Sequence, residues 1–234
     1  MGRRLVLLRH GETEYNATAR MQGQLDTKLS ERGVIQARQA ARYLSGLNFV
    51  RVVCSDLHRA HDTAREVATL LDVPLITDER LRETHLGEWQ GKTHAEIDAA
   101  TPGARARWRH DVSWAPPGGE TRLEVAARAR AVVDEAMAEV EEWEEKSILF
   151  VAHGGTINAL TGSLLGFATA EEFSRLSTVA NTCWAQLQAR PHYAPGCTRP
   201  QSFTPDNLDN AQWYLEGWNV GVTPGLTVCE STNP

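Results

Sequence analysis

Four separate stretches of the chain each carry a side chain suited to handling a phosphate group. Arg9-His10-Gly11-Glu12-Thr13 directly follows an apolar run at 5–8. Ser55-Asp56-Leu57-His58-Arg59 follows a second run at 50–54. Arg82-Glu83-Thr84-His85 follows a weaker run at 74–77, and His153-Gly154-Gly155-Thr156 follows a run at 148–152. A phosphate monoester dianion repels anionic nucleophiles. A neutral imidazole meets no such barrier, and the phosphoramidate it forms is readily hydrolysed. His10 is therefore the expected nucleophile, its second ring nitrogen held by a hydrogen bond that fixes the tautomer. Arg9, Arg59 and a protonated His153 are expected around the transferring oxygens, where positioned cations supply most of the catalysis. Glu83 is the candidate to protonate the leaving oxygen and then take a proton from the attacking water. Gly11 is expected to let the chain turn and to offer backbone N–H groups to an anion, and the Gly154 N–H is a further donor.

Taken singly, each residue has a plainer reading. Arg59 could sit in a surface ion pair, Glu83 on a solvated loop, and His153 in a purely structural place. Their combination argues for a site, because the elements that carry them belong to one sheet. The runs at 5–8, 50–54 and 148–152 read as buried strands, with weaker strands at 74–77 and 182–187. Helical periodicity follows the first run, with Ser30 as N-cap, and the second, with Ser55 and Asp56 before it. Gly154 and Gly155 open a third helix. The longest helix is expected over 123–143, on a stripe of Ala126, Ala129, Val133, Ala136, Val140 and Trp143. Alternating strands and helices give an α/β fold with a mostly parallel sheet covered on both faces, and chemistry collects at the carboxyl ends of such strands.

Residues 86–120 contain Trp89, Trp108 and Trp114 with Gly and Pro, and read as an excursion or lid on a single domain spanning 1–234. The indoles suit either a wall for a sugar or packing of the excursion onto the body. The Pro-rich polar stretch at 190–210 reads as a surface loop.

The net charge of −6 argues against nucleic acid or an anionic membrane as partner, since both reward a positive surface. Of 24 basic residues only Lys28, Lys92 and Lys146 are lysine, and arginine makes planar, bidentate contacts to phosphate. Cys54, Cys183, Cys197 and Cys229 form no CxxC pair, which suits a reduced cytoplasmic home. The apolar stretch near the N-terminus is too short for a signal peptide, and Arg9 interrupts it. His58, His61 and Asp62 have spacing that suits two metal ligands, but no third ligand cluster accompanies them, so neither metal nor cofactor is expected.

The set Arg9-His10-Gly11, Arg59, Glu83 and His153, in this order, resembles the histidine phosphatase (phosphoglycerate mutase-like) superfamily over nearly the whole chain. The resemblance implies a three-layer α/β/α sandwich and further phosphate or substrate contacts from Asn16, Gln22 and Gly23, and it is compatible with a homodimer. Several stretches resemble the actinobacterial glucosyl-3-phosphoglycerate phosphatase branch of that family: 21–27, 80–98, 102–121, 192–196 and 213–219. The polar segment at 201–209 is longer than in that branch. The resemblance implies hydrolysis of a phosphorylated small molecule, glucosyl-3-phosphoglycerate to glucosylglycerate. A cofactor-dependent phosphoglycerate mutase, a broad-specificity phosphatase and a non-catalytic phospholigand-binding module are the competing readings. The mutase pattern pairs two arginines in the excursion, whereas Arg105, Arg107 and Arg109 alternate here.

Overall fold

In the computed structural model, which describes residues 2–192 and 202–221, the first half of the chain runs β1 (Arg3–Arg9), α1 (Glu14–Ala17), α2 (Glu31–Leu44), β2 (Phe49–Cys54), α3 (His58–Leu71), β3 (Leu75–Thr77), α4 (His94–Ala100) and α5 (Ala104–His110). It continues through α6 (Arg122–Glu139), β4 (Ser147–Ala152), α7 (Gly154–Leu164), α8 (Ala170–Ser174), β5 (Trp184–Pro191) and β6 (Ala211–Val220).

The apolar runs are strands buried on both faces, so they lack the apolar–polar alternation of a half-exposed strand. Successive side chains point to opposite faces, and the two sets enter separate cores. Leu5, Leu7, Ile148 and Phe150 pack with Ala129, Val133, Ile157 and Leu160 from α6 and α7. Val6, Leu8, Leu149 and Val151 pack with Ala41, Leu44, Ala60, Ala64 and Val67 from α2 and α3. The result is a three-layer α/β/α sandwich around a six-stranded sheet of order β3-β2-β4-β1-β5-β6. The first four of these strands are parallel, and β5 pairs antiparallel with both β1 and β6. No helix among the described residues is long and apolar enough to cross a membrane.

Three details depart from expectation. The strand β6 lies where only the short motif at 213–219 was read, because its alternate residues are exposed and it pairs only with β5. The Ser55–Asp56 cap is absent: α3 starts after Leu57, and the side chain of Asp26, far away in sequence, accepts from the His58 N–H at 2.8 Å. Asp56 instead forms an ion pair with Arg82. The long helix stops at Glu139, and a 3₁₀ turn at Glu141–Trp143 follows. There the fully buried Trp143 donates its indole N–H to the Arg4 carbonyl at 2.8 Å, tying the turn to β1. Of the branch motifs, residues 193–196 lie outside the described residues, as do Cys197, Cys229 and Gln201.

The excursion carries short helices and no strand among its residues. Trp89 is buried with Met21, Leu86 and Ile97, and its ring centroid lies 5.9 Å from that of Trp108 and 5.7 Å from that of Trp114. The indoles thus pack the excursion onto itself and onto the loop that follows α1. Trp89→Ala should lower unfolding free energy by about 3–5 kcal/mol, the range for removing a buried aromatic side chain. Urea denaturation checks this, and a change below about 1 kcal/mol would show that the cluster is not a packing unit.

Candidate active site

The register of the two central strands fixes the site. Arg9 pairs with Ala152 across β1 and β4, so the next residue on each strand is a histidine. The His10 N–H donates to the Ala152 carbonyl at 3.1 Å, and the His10 and His153 ring centroids lie 5.1 Å apart. Both imidazoles are buried. His10 Nδ1 lies 2.7 Å from the Gly11 carbonyl oxygen. A carbonyl only accepts, so Nδ1 carries the proton and Nε2 keeps its lone pair.

Arg9 comes from the end of β1 and Arg59 from the first turn of α3. Arg9 Nη1 donates to the Val179 carbonyl at 2.7 Å. Arg59 is fully buried, and its two terminal nitrogens donate to the Leu25 and Gly23 carbonyls, each at 2.8 Å. Four buried nitrogens in this group have no hydrogen-bond partner: Arg9 Nε, Arg59 Nε and both ring nitrogens of His153. Buried polar groups are otherwise almost always paired, so this cluster of donors suits an anionic ligand. Burial and the nearby Arg59 and Arg9 charges hold His10 well below the usual imidazole range, and burial and Arg59 do the same to His153. Burial also lowers Arg59, to about 10, despite the opposing field of Glu83. His153 is therefore neutral here, against the protonated state expected from the sequence; an anion beside it would favour protonation.

Glu83 reaches the same edge from the segment after β3. Its Oε1 accepts from the Thr84 N–H at 2.9 Å and the Thr156 N–H at 3.2 Å, and its Oε2 accepts from the Gly155 N–H at 3.2 Å. Two of these donors are free amides at the N-terminus of α7. A Cβ on Gly155 would lie 2.5 Å from Glu83 Oε1, so only glycine lets the carboxylate approach. Gly154, one residue earlier, lies beside Arg9, where a Cβ would be 3.6 Å from Arg9 Nε.

The other expected contacts occupy the rim. Asn16 closes a capping box with Thr13, using its side-chain oxygen. Gln22 accepts from the Thr27 hydroxyl at 2.6 Å, which leaves its amide nitrogen as a donor. Gly23 serves through its carbonyl on Arg59. Gly11 behaves differently from expectation: its N–H donates to Thr63 Oγ1 at 3.0 Å and is not offered to an anion. Its lack of a side chain admits α2 instead, because a Cβ there would lie 2.5 Å from the Gly33 carbonyl oxygen.

Two residues that sequence reasoning passed over also belong here. Asn181 donates from Nδ2 to the His10 carbonyl at 2.9 Å and to Asn16 Oδ1 at 3.3 Å, joining the end of β1 to the rim. Arg128, on α6, donates to the Glu83 carbonyl at 3.0 Å. Neither sits in a motif; only their side-chain types gave any signal. No group of three or more His, Cys, Asp or Glu among the described residues is placed to hold a metal ion. His58 pairs with Asp26, and His61 lies 3.8 Å from Asp62.

Comparison with known proteins gives concordant matches. The model of the histidine phosphatase superfamily (branch 1) matches residues 5–194. A glucosyl-3-phosphoglycerate phosphatase of Mycobacterium tuberculosis is 46% identical over 225 residues, covering 94% of this chain and 96% of that protein. A solved mycobacterial glucosyl-3-phosphoglycerate phosphatase in complex with VO3 superposes with a TM-score of 0.84 at 45% identity, covering 94% of this chain and 100% of that one. A 2,3-bisphosphoglycerate-dependent phosphoglycerate mutase of Gloeobacter violaceus is 37% identical over 161 residues, covering 67% of this chain and 73% of that protein.

In phosphate-free buffer, His10 and His153 should titrate by NMR with midpoints below the ordinary 6.5. The unfolded chain then binds more protons than the folded one just below that pH. Stability should fall as pH drops from about 6.5 towards the folded midpoints. A ring midpoint at or above the ordinary value would contradict the electrostatics described here.

Proposed function

The chain belongs to the histidine phosphatase superfamily, and we propose that it hydrolyses glucosyl-3-phosphoglycerate to glucosylglycerate and phosphate through a phosphorylated His10. It is a phosphoric monoester hydrolase. The observation that carries the mechanism is the unprotonated Nε2 of His10 among buried, unpartnered nitrogens of Arg9, Arg59 and His153. The identity to the M. tuberculosis phosphatase along almost the full length of both chains supports the substrate.

His10 Nε2 attacks phosphorus, and the bond from phosphorus to the glycerate oxygen breaks. Glu83 gives that oxygen a proton. Arg9, Arg59 and His153 bind the phosphoryl oxygens over which transition-state charge spreads, and His153 takes up a proton as the dianion arrives. Asn16, Gln22 and the backbone around Gly23 and Gly154 complete the contacts to phosphate and substrate. In the second half-reaction water attacks phosphorus, Glu83 takes its proton, and the nitrogen–phosphorus bond breaks to restore His10. A neutral imidazole that stays uncharged while buried is suited to attack a dianion without repulsion. The same reading takes the chain as one catalytic domain with 86–120 as its excursion, working in the cytoplasm as a homodimer.

The mutase reading fits less well. Arg105 is paired with Asp98, and Arg107 is paired with Asp111 and stacked 5.5 Å from the Trp114 ring centroid. Two of the three arginines of the excursion are thus held in local contacts.

Phosphate release should be compared for glucosyl-3-phosphoglycerate, 3-phosphoglycerate and p-nitrophenyl phosphate. The glucosylated substrate should lead in kcat/KM by at least about tenfold, which is what a few well-formed contacts supply. Interconversion of 2- and 3-phosphoglycerate with a bisphosphoglycerate primer should stay at background. His10→Ala should lower phosphate release by at least about three orders of magnitude. A better substrate from another class would overturn the substrate, and an active His10→Ala protein the mechanism.

A further inference from the structure

Glu83 sits on irregular chain, which by itself is a poor platform for a group that must meet a leaving oxygen within a few tenths of an ångström. Gln24 Nε2 donates to the Glu83 carbonyl at 3.0 Å, and Arg128 holds the segment at more points. Its Nη1 donates to the carbonyls of Arg80 at 2.6 Å and Arg82 at 2.7 Å. Its Nη2 donates to the Glu83 carbonyl at 3.0 Å and to Glu120 Oε2 at 3.0 Å, and its Nε donates to Glu120 Oε1 at 2.9 Å. A guanidinium has five N–H groups, and these five bonds engage all of them. Arg128 therefore has no donor left for a phosphate, unlike Arg9 and Arg59.

The grip extends past Glu83 on its other side. Glu120 Oε2 also accepts from the His85 N–H at 2.7 Å, and the Glu120 N–H donates to the His85 carbonyl at 2.8 Å. The Thr156 hydroxyl donates to the Arg82 carbonyl at 2.7 Å. Main chain on both sides of Glu83 is thus clamped to α6 and to the residues just before it. The side chain is meanwhile aimed by the N-terminus of α7, and α6 and α7 pack against one another through Val125, Ala126 and Ala159.

The geometry points to Arg128, braced by Glu120, as the positioning residue for the proton donor of the proposed reaction, a role that rests on the assignment of Glu83 as that donor. Arg128 touches no reacting atom. It holds the Glu83 carboxyl at the distance where the departing oxygen can be protonated, and lysine, with one nitrogen, cannot make the same set of bonds.

This role has a signature that a general loss of structure lacks. Esters with a poor leaving group, such as 3-phosphoglycerate, need the proton, whereas p-nitrophenyl phosphate expels a stable anion unaided. The test is the single-turnover rate of ester cleavage for both substrates in wild type, R128A, R128K, E120Q and E83Q. R128A should slow the alkyl ester about 100-fold, the scale of an ångström's misplacement, and p-nitrophenyl phosphate by less than about threefold. R128K and E120Q should show the same split more weakly, and they keep the test alive if R128A does not fold. R128A combined with E83Q should be no slower than E83Q alone, because both remove one function. Equal slowing of the two substrates by the Arg128 variants, or none, would overturn the proposal. Equal slowing is also what an effect through His153 would give, since Arg128's charge reaches that imidazole. If E83Q itself shows no split, the failure lies with Glu83 as proton donor and not with its positioning.

Discussion

The buried Arg59 guanidinium, the half-buried Arg9 and two buried imidazoles lie together at one edge of a parallel sheet, and the rest of the site is arranged around the cost of keeping them there. Burying an isolated charge is expensive unless hydrogen bonds and opposite charge compensate it. Here the compensation is incomplete by construction. Arg59 is held by two backbone carbonyls and Arg9 by one, and Glu83 contributes an opposing field to both. That leaves Arg9 Nε and Arg59 Nε with no side chain to accept from them. The imidazoles answer the same field by staying neutral, which leaves His10 with a free lone pair in a strongly positive surrounding. A phosphate dianion is the partner that such an arrangement fits.

Placement of Glu83 solves the opposite problem. A carboxylate this close to two arginines would pair with them directly and block the site if it were free to do so. Instead three backbone N–H groups, two of them at the start of α7, hold its oxygens. The missing Cβ at Gly155 makes room for that approach. Carboxylate and guanidinium groups thus come to the same edge from different elements, with the start of α7 holding the carboxylate. Loops matter here as much as strands, because the carbonyls on Arg59 come from residues 23 and 25 and the carbonyl on Arg9 from residue 179.

Much of this was legible in the sequence because the chemistry-bearing residues lie immediately after apolar strands. Arg9-His10 and His153 are read from the runs that precede them, and the parallel register brings them side by side without further information. Ser30 also caps α2 as its position suggested. What was not legible depends on contacts between distant segments. Asp26 caps a helix 32 residues further on. Thr63 takes the N–H of Gly11, whose glycine is needed for close approach of α2 rather than for binding an anion. The strand β6 has the alternation of an exposed surface, so its pairing with β5 leaves little trace in composition. Arg128 and Asn181 look like ordinary helix and loop residues until the carbonyls they hold are seen. The neutral state of His153 likewise follows from three-dimensional burial, which no motif records.

The proposed chemistry stands or falls on which atom faces phosphorus. Vanadate adopts the trigonal bipyramidal geometry of phosphoryl transfer, so a crystal structure of this protein with vanadate addresses the point directly. Vanadium should be bonded to Nε2 of His10, its equatorial oxygens contacted by Arg9, Arg59 and His153, and Glu83 beside the apical oxygen opposite the histidine. Vanadium bound elsewhere, or bound at this edge with no bond to His10, would contradict that chemistry.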